Sequence, residues 1–333
     1  MHLLFSAVQE AAPGLKWQRL FRRHWPAYQA WFLSGGIEAR PTFAEAERRL
    51  KRHMPELMPT YERLCDLAGG GDLEARFLAL YCPPAYLTGC SQAVWPGEEP
   101  LLIRNYDYAP ALCEGVMLHS RWNGRSVLAM LDCLWGALDG VNEAGLAVSL
   151  TFGGRRVVGE GFGVPLILRY ILEFCDTAKE AAAVLRRVPS HMAYNVTAVD
   201  RSGAFITAYL APDREPAIRQ IPIAANHQGR IDWHTYARAT ATLERERFLF
   251  FRLQEAGMTV DKLIACFLRP PLYTTAYDNG FGTLYTAAYR PVSGTARFIW
   301  PDGELPLGLR DFREGERHQT FGGPAESRGA ARR

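Results

Sequence analysis

The chain has no Cys-x-x-Cys pair, no Cys/His cluster at metal-ligand spacing, and no apolar run long enough to cross a bilayer. Its seven cysteines (Cys65, Cys82, Cys90, Cys113, Cys133, Cys175 and Cys266) are odd in number and widely scattered. A disulfide framework and a zinc site are both disfavoured, and no metal or cofactor is expected. Charge of one sign is also missing: 38 basic residues face 35 acidic ones, with no basic stripe interleaved with aromatics. That balance argues against a nucleic-acid partner. The opening MHLLFSAVQEAAPGLKWQRLFRR mixes apolar residues with Gln, Glu and Lys. It lacks the pattern of a secretory signal, so the cytoplasm is the expected location, with no membrane partner.

What remains is ample apolar content, 48% of 333 residues, enough for a large core. Residues 1 to about 80 read as helical, with apolar residues three and four apart at 14–32, 42–54 and 55–68, and a further helix at 73–81 ended by Pro83-Pro84. From Cys90 onward short β-like runs dominate: 101–108, 126–134, 145–151, 194–200, 204–210, 283–289 and 296–300. Turn signals such as Asn123-Gly124 and Ser202-Gly203 separate them as hairpins. Helical segments at 162–187, broken at Asp176-Thr177 by a capping-box spacing, and at 237–256 interrupt the strands. The polar tail, 316–333, reads as disordered. Hairpins alternating with helices predict an α+β chain with sheets sandwiched between helices.

The chemistry concentrates at Gly89-Cys90. Were the bond between them cut, Cys90 would carry both a thiol nucleophile and an α-amine whose ordinary pKa, about 7.7 to 8.0, suits a general base. Glycine before the nucleophile leaves the preceding carbonyl approachable and tolerates strained backbone. A buried, inert thiol is the commoner fate of a free cysteine, so neighbouring residues decide the matter.

Fourteen residues on, Arg104-Asn105-Tyr106-Asp107 closes an apolar strand. If the two segments pair through the loop 96–99, Arg104 and Asp107 return beside the thiol, where Arg104 stabilises a thiolate and Asp107 holds the α-ammonium or orients substrate. Asn142 lies in the turn DGVNEAGL, where backbone tolerance explains an Asn as well as an oxyanion-hole role does. Asn195 sits inside a strand, where a polar amide needs a partner. Asn226-His227 follows an apolar stretch, and His227 offers either a structural histidine or half of a Cys-His dyad.

In order, these pieces resemble the cysteine N-terminal-nucleophile hydrolases, which include the choloylglycine hydrolases, and more closely the acyl-coenzyme A:6-aminopenicillanic acid acyltransferases. The resemblance rests on Gly89-Cys90, RNYD at 104–107, GVNEAGL at 140–146, Asn195 ahead of an Asp-x-x-Gly hairpin, Asn226-His227, and the closing hairpin GTLYTAAYRPVSGTARFIW. It covers about 80–310. It implies an αββα four-layer sandwich, a helical prosegment over 1–89, a catalytic domain over 90–315, and self-cleavage at Gly89-Cys90.

By the same resemblance Cys90 is the nucleophile, Arg104, Asp107 and Arg245 tune it, and Asn142 and Asn195 receive the oxyanion. Arg247 fits the helix position nearly as well as Arg245. Ser91, where the family commonly has Thr, and Glu244 and Glu246, where it often has small hydroxyl residues, depart from the pattern. The implied partner is a small-molecule acyl amide or acyl thioester, met by Tyr106, Tyr108, Trp135, Phe152, Asn226 and His227. Phe162, Tyr273 and Tyr277 also suit an apolar acyl pocket. The cleaved chains are expected to stay associated, and a homo-oligomer is left open. The rivals are an uncleaved Cys-His hydrolase and a catalytically silent binding protein of the same fold.

Overall fold

The computed structural model describes residues 1–279 and 281–322. The N-terminal part holds β1 (His2–Glu10), α1 (Leu15–Phe32), α2 (Phe43–His53), α3 (Met58–Ala68) and α4 (Asp72–Leu78). There follow β2 (Gly89–Trp95), β3 (Leu101–Tyr108), β4 (Val116–Ser120), β5 (Val127–Asp132), β6 (Gly136–Asn142) and β7 (Leu146–Phe152). Two helices, α5 (Val164–Phe174) and α6 (Ala178–Arg187), lead to β8 (Tyr194–Asp200), β9 (Phe205–Ala211), β10 (Arg214–Arg219) and β11 (Ile223–Ala224). The chain ends through α7 (His234–Ala239), α8 (Thr242–Gln254), α9 (Val260–Phe267), β12 (Gly282–Arg290), β13 (Thr295–Trp300), β14 (Gly303–Gly308) and β15 (Gly315–Thr320).

The strands form a nine-stranded sheet, β10-β9-β8-β7-β6-β5-β4-β1-β15, and a six-stranded sheet, β11-β2-β3-β12-β13-β14. The sheets pack face to face, β2 and β3 against β7 and β12 and β13 against β6, while α5 and α6 cover the outside of the larger sheet and α8 and α9 that of the smaller. The result is the α+β, αββα arrangement, with both sheets open at their edges. Period-2 patterning explains the layering of β3: Leu102 and Tyr106 face the inter-sheet core, and Leu101 and Ile103 face the α8–α9 side.

Local signals place several boundaries. The Thr177 hydroxyl accepts from the Glu180 amide while the Glu180 carboxylate accepts from the Asp176 amide, so the expected break falls between α5 and α6. Gly145, at φ +84°, turns β6 into β7 where a Cβ would lie 2.5 Å from Arg201 Nε.

Two expectations are corrected. Residues 2–10, read as part of a helical region, form β1, which pairs parallel with β4 and antiparallel with β15. The polar tail begins with an ordered edge strand, β15, and its remainder, 323–333, lies outside the described residues. Both strands owe their structure to partners more than a hundred residues away, which local periodicity does not reveal. The N-terminal segment is therefore part of the larger sheet as well as a helical cap on it.

Candidate active site

The loop 96–100 returns β3 beside β2 in a register that sets Cys90 opposite Tyr106, Gln92 opposite Arg104, and Gly89 opposite Asp107. Cys90, Gln92, Arg104 and Tyr106 thus share the face toward the large sheet, and Ser91 and Asp107 share the other. Cys90 is fully buried. Its Sγ receives a hydrogen bond from Arg104 Nη2 at 2.9 Å, and its backbone N–H donates to Asn226 Oδ1 at 3.1 Å.

Arg104 is itself gripped by Asp139 on β6, with Nη1 2.7 Å from Asp139 Oδ2 and 2.8 Å from the Leu138 carbonyl. Tyr285 donates to the same Asp139 oxygen at 2.7 Å, and Tyr289 to the other. The guanidinium also lies 5.0 Å from the centre of the Tyr106 ring. This array holds the charge of Arg104 against the thiol. Burial pushes the Cys90 thiol above its ordinary value; Arg104 pulls it down, and the charge of Asp107 adds to the rise.

On the opposite face of β3, Asp107 pairs with Arg245 of α8 and accepts from Thr283 Oγ1 at 2.7 Å. Arg245 reaches Ser91 Oγ at 3.4 Å and the Pro271 carbonyl at 3.1 Å. Arg247 is exposed, so geometry selects Arg245 as the helix arginine of this cluster. The Asp107 carboxylate lies on the face of the β2–β3 hairpin away from the Cys90 thiol.

Asn195 donates to Thr151 Oγ1 at 3.0 Å and to the Ala225 and His227 carbonyls at 2.8 and 3.0 Å. It braces the segment that presents Asn226 to Cys90, and its own Oδ1 is buried without a partner. Asn142 does not join this group. Its Nδ2 is occupied by the Leu172 and Cys175 carbonyls at the end of α5, at 3.0 and 2.8 Å, and its Oδ1 accepts from the Leu146 amide. It faces the outer helical layer, where it closes a helix end and a turn.

His227 is likewise turned away. Its Nδ1 lies 3.1 Å from Thr242 Oγ1 and its Nε2 3.2 Å from Glu246, so it forms no dyad with Cys90. Trp135 is a core residue whose indole donates to the Leu78 carbonyl. Phe162 packs against Tyr81, and the Tyr277 hydroxyl donates to the Thr283 carbonyl. Phe152 packs edge-on to Tyr236, and Tyr108 lines a cavity beside α1. Gly89 does not adopt left-handed backbone. What it requires is space, since a Cβ would fall 2.0 Å from the Phe281 ring.

The residues that sequence reasoning missed are Tyr236, which donates to the Thr88 carbonyl one residue before Gly89, and the Asp139, Tyr285 and Tyr289 set. An aspartate inside the apolar strand 136–142, and tyrosines four apart on one face of β12, were the available signals. Among the described residues no group of three or more His, Cys, Asp or Glu side chains is arranged to hold a metal.

Two open sheets packed between helical layers give the frame of the N-terminal-nucleophile hydrolase fold, and Cys90 is buried at the second residue of β2. The chain belongs to the acyl-coenzyme A:6-aminopenicillanic acid acyltransferase family, whose sequence model matches residues 95–304, well over half of its length. The match takes in Arg104, Asp107 and Arg245 and begins just past Cys90. Membership carries the coarse activity, hydrolysis or transfer of an acyl group.

Solved structures show looser likeness. A mutant of conjugated bile acid hydrolase from Clostridium perfringens is 10% identical, with a TM-score of 0.46 over 68% of this chain and 96% of that one. Penicillin V acylase from Agrobacterium tumefaciens is 14% identical, with a TM-score of 0.44 over 66% and 86%. The Caenorhabditis elegans N-acylethanolamine-hydrolyzing acid amidase ortholog is 15% identical, with a TM-score of 0.41 over 61% and 93%. At such values these likenesses decide nothing about the chemistry. No curated protein matches the chain significantly.

Proposed function

We propose that the chain is the precursor of a cysteine N-terminal-nucleophile enzyme that cuts itself between Gly89 and Cys90. The Cys90 thiolate adds to the Gly89 carbonyl, the C–N bond breaks as the nitrogen takes up a proton, and a thioester results. Water then releases the Gly89 carboxylate, leaving Cys90 with a free thiol and α-amine. In turnover the amine takes the thiol proton and the thiolate adds to an amide or thioester carbonyl; the C–N or C–S bond breaks as the leaving amine or thiol takes that proton, and the acyl-enzyme passes its acyl group to water or an amine, freeing the thiol.

The observation that supports this reading most is the double hold on Cys90: Arg104 at 2.9 Å from its sulfur and Asn226 at 3.1 Å from its nitrogen, all three buried. Arg104 stabilises the thiolate, Asn226 accepts from the nitrogen that becomes the amine, and Asn195 keeps Asn226 in place. Asp107 and Arg245 stiffen the nucleophile strand from behind. An uncleaved Cys-His mechanism loses its base, since His227 points elsewhere.

The test is the intact mass of wild type beside Cys90→Ala under denaturing conditions. Two wild-type chains, the larger beginning Cys-Ser-Gln-Ala-Val, with a single chain in the variant, are expected. A wild-type chain that stays single on prolonged incubation overturns the cleavage.

A further inference from the structure

A cavity of about 140 Å³ opens between α1 and the ends of β3 and β5, with Tyr28 and Trp31 on one side and Tyr108, Glu114 and Asp132 on the other. Tyr86 completes an aromatic rim. A cavity of about 150 Å³ accepts benzene, so this one suits a small group rather than a long chain.

Its polar floor is short of positive charge. Tyr28 donates its one hydroxyl proton to Glu114 Oε1, yet its oxygen also lies 3.2 Å from Asp132 Oδ1 and accepts from the Cys133 amide at 2.9 Å. Glu114 Oε1 accepts a second bond from the Leu134 amide, while Glu114 Oε2 has no partner although the residue is only 7% exposed. Among the described residues no Lys or Arg forms an ion pair with either carboxyl; Arg104, bound to Asp139, acts on Asp132 only at longer range. A buried carboxyl pair in this state is satisfied either by a proton or by a bound cation, and aromatic walls suit an organic cation better than a hydrated metal ion.

The cavity lies next to the nucleophile. Tyr106 stands opposite Cys90, and Tyr108 follows it on the same face of β3, a diagonal step of roughly 7–8 Å between Cα positions. We infer that this cavity is the subsite for a protonated amine carried by the substrate a few carbons from its reacting carbonyl, with Glu114 and Asp132 as counter-charge and the tyrosine and tryptophan rings as walls. This rests on Cys90 being the nucleophile only for its link to turnover; binding of the cation stands by itself. Because α1 supplies one wall, residues on both sides of Gly89 set the specificity.

Two measurements on the full-length protein test it. Titration with n-butylammonium chloride, followed by tryptophan fluorescence because Trp31 lines the site, is expected to saturate in both wild type and Cys90→Ala. Affinity falls about ten-fold or more in Glu114→Gln and in Asp132→Asn. Sodium butyrate is not expected to bind. Failure of butylammonium to saturate, or equal affinity in both carboxyl variants, overturns the subsite whatever the fate of Cys90. Turnover of 6-aminohexanoyl p-nitroanilide against hexanoyl p-nitroanilide is the second measurement. Wild type favours the amine by about ten-fold in kcat/KM, and Glu114→Gln lowers kcat/KM for the amine more than for the neutral substrate, removing that preference. A preference that survives Glu114→Gln likewise overturns the subsite. Saturable binding with neither substrate turned over tells instead against the proposed activity.

Discussion

Arg104 and Arg245 act on the Cys90 hairpin from opposite faces of one sheet, each locked to an aspartate: Arg104 to Asp139 across the inter-sheet core, Arg245 of α8 to Asp107. Only Arg104 touches the thiol. The two pairs therefore predict different losses.

Removing Arg104 raises the thiol pKa, because burial and the charge of Asp107 are then opposed only by the Asp107 backbone amide. In Arg104→Gln/Asp139→Asn, which leaves no unpaired buried charge, the pH profile of Cys90 alkylation by iodoacetamide moves upward by about one to three units. Peptide mapping by mass spectrometry separates Cys90 from the other thiols. An unmoved profile refutes the activating role of Arg104.

Asp107→Asn leaves Arg245 buried and unpaired, at a cost of about 3–5 kcal/mol in urea unfolding. Adding Arg245→Met recovers most of that loss, since the two sites are in contact and their effects do not add. Equal loss in the single and double variants contradicts this pairing.

His227→Ala and Asn226→Ala separate the neighbours. His227 contacts Thr242 and Glu246, so its loss leaves self-cleavage within about ten-fold of wild type. Asn226 holds the Cys90 nitrogen, and its loss slows cleavage by about ten-fold or more, equivalent to about 1–3 kcal/mol. Time courses of precursor loss on denaturing gels read both.

Asn142→Ala acts on stability and not on turnover. Two α5 carbonyls lose their donor, costing about 1–3 kcal/mol, while kcat is unchanged in the variant that remains folded. A selective fall in kcat would restore Asn142 to the oxyanion site.

Stability falls as pH rises from about 5 to 7. Burial, with the nearby charge of Asp132 second, raises Glu114 from its ordinary 4.5 to about 7, and burial raises Asp132 to about 6. Between the unfolded and folded values the native state holds more protons, so adding base favours unfolding. Glu114 anchors the effect, since Asp132 is half-buried. Tyr28, Cys113 and Cys133 also face the pair, each raised above its ordinary value by burial and so uncharged across this window; burial lowers His24, and the charge of Arg104 lowers Asp132. Thermal melts across this range flatten in Glu114→Gln if the pair is responsible.

The strands carrying Cys90 and Arg104 were legible because their alternation, the short loop between them and the RNYD terminus all agree. Their register alone brings Arg104 to the sulfur. Asn142 stayed ambiguous because an Asn in a tight turn has the same sequence signature whether its amide meets an oxyanion or, as here, carbonyls at the end of a helix. β1 was hidden because LLFSAV satisfies helical spacing as readily as a strand, and only β4 and β15 decide. The Glu114 and Asp132 pair lies on two segments with no common motif, so nothing short of the fold joins them.

The placement of β1 between β4 and β15 gives the proposed cut an unusual outcome. Severing Gly89–Cys90 changes no contact of β1, so an intramolecular strand becomes a subunit's contribution to a shared sheet. The shorter piece would then be a permanent partner, donating a strand to one layer and a wall to the cavity. A gene broken at that point and expressed as two polypeptides would rebuild the same molecule.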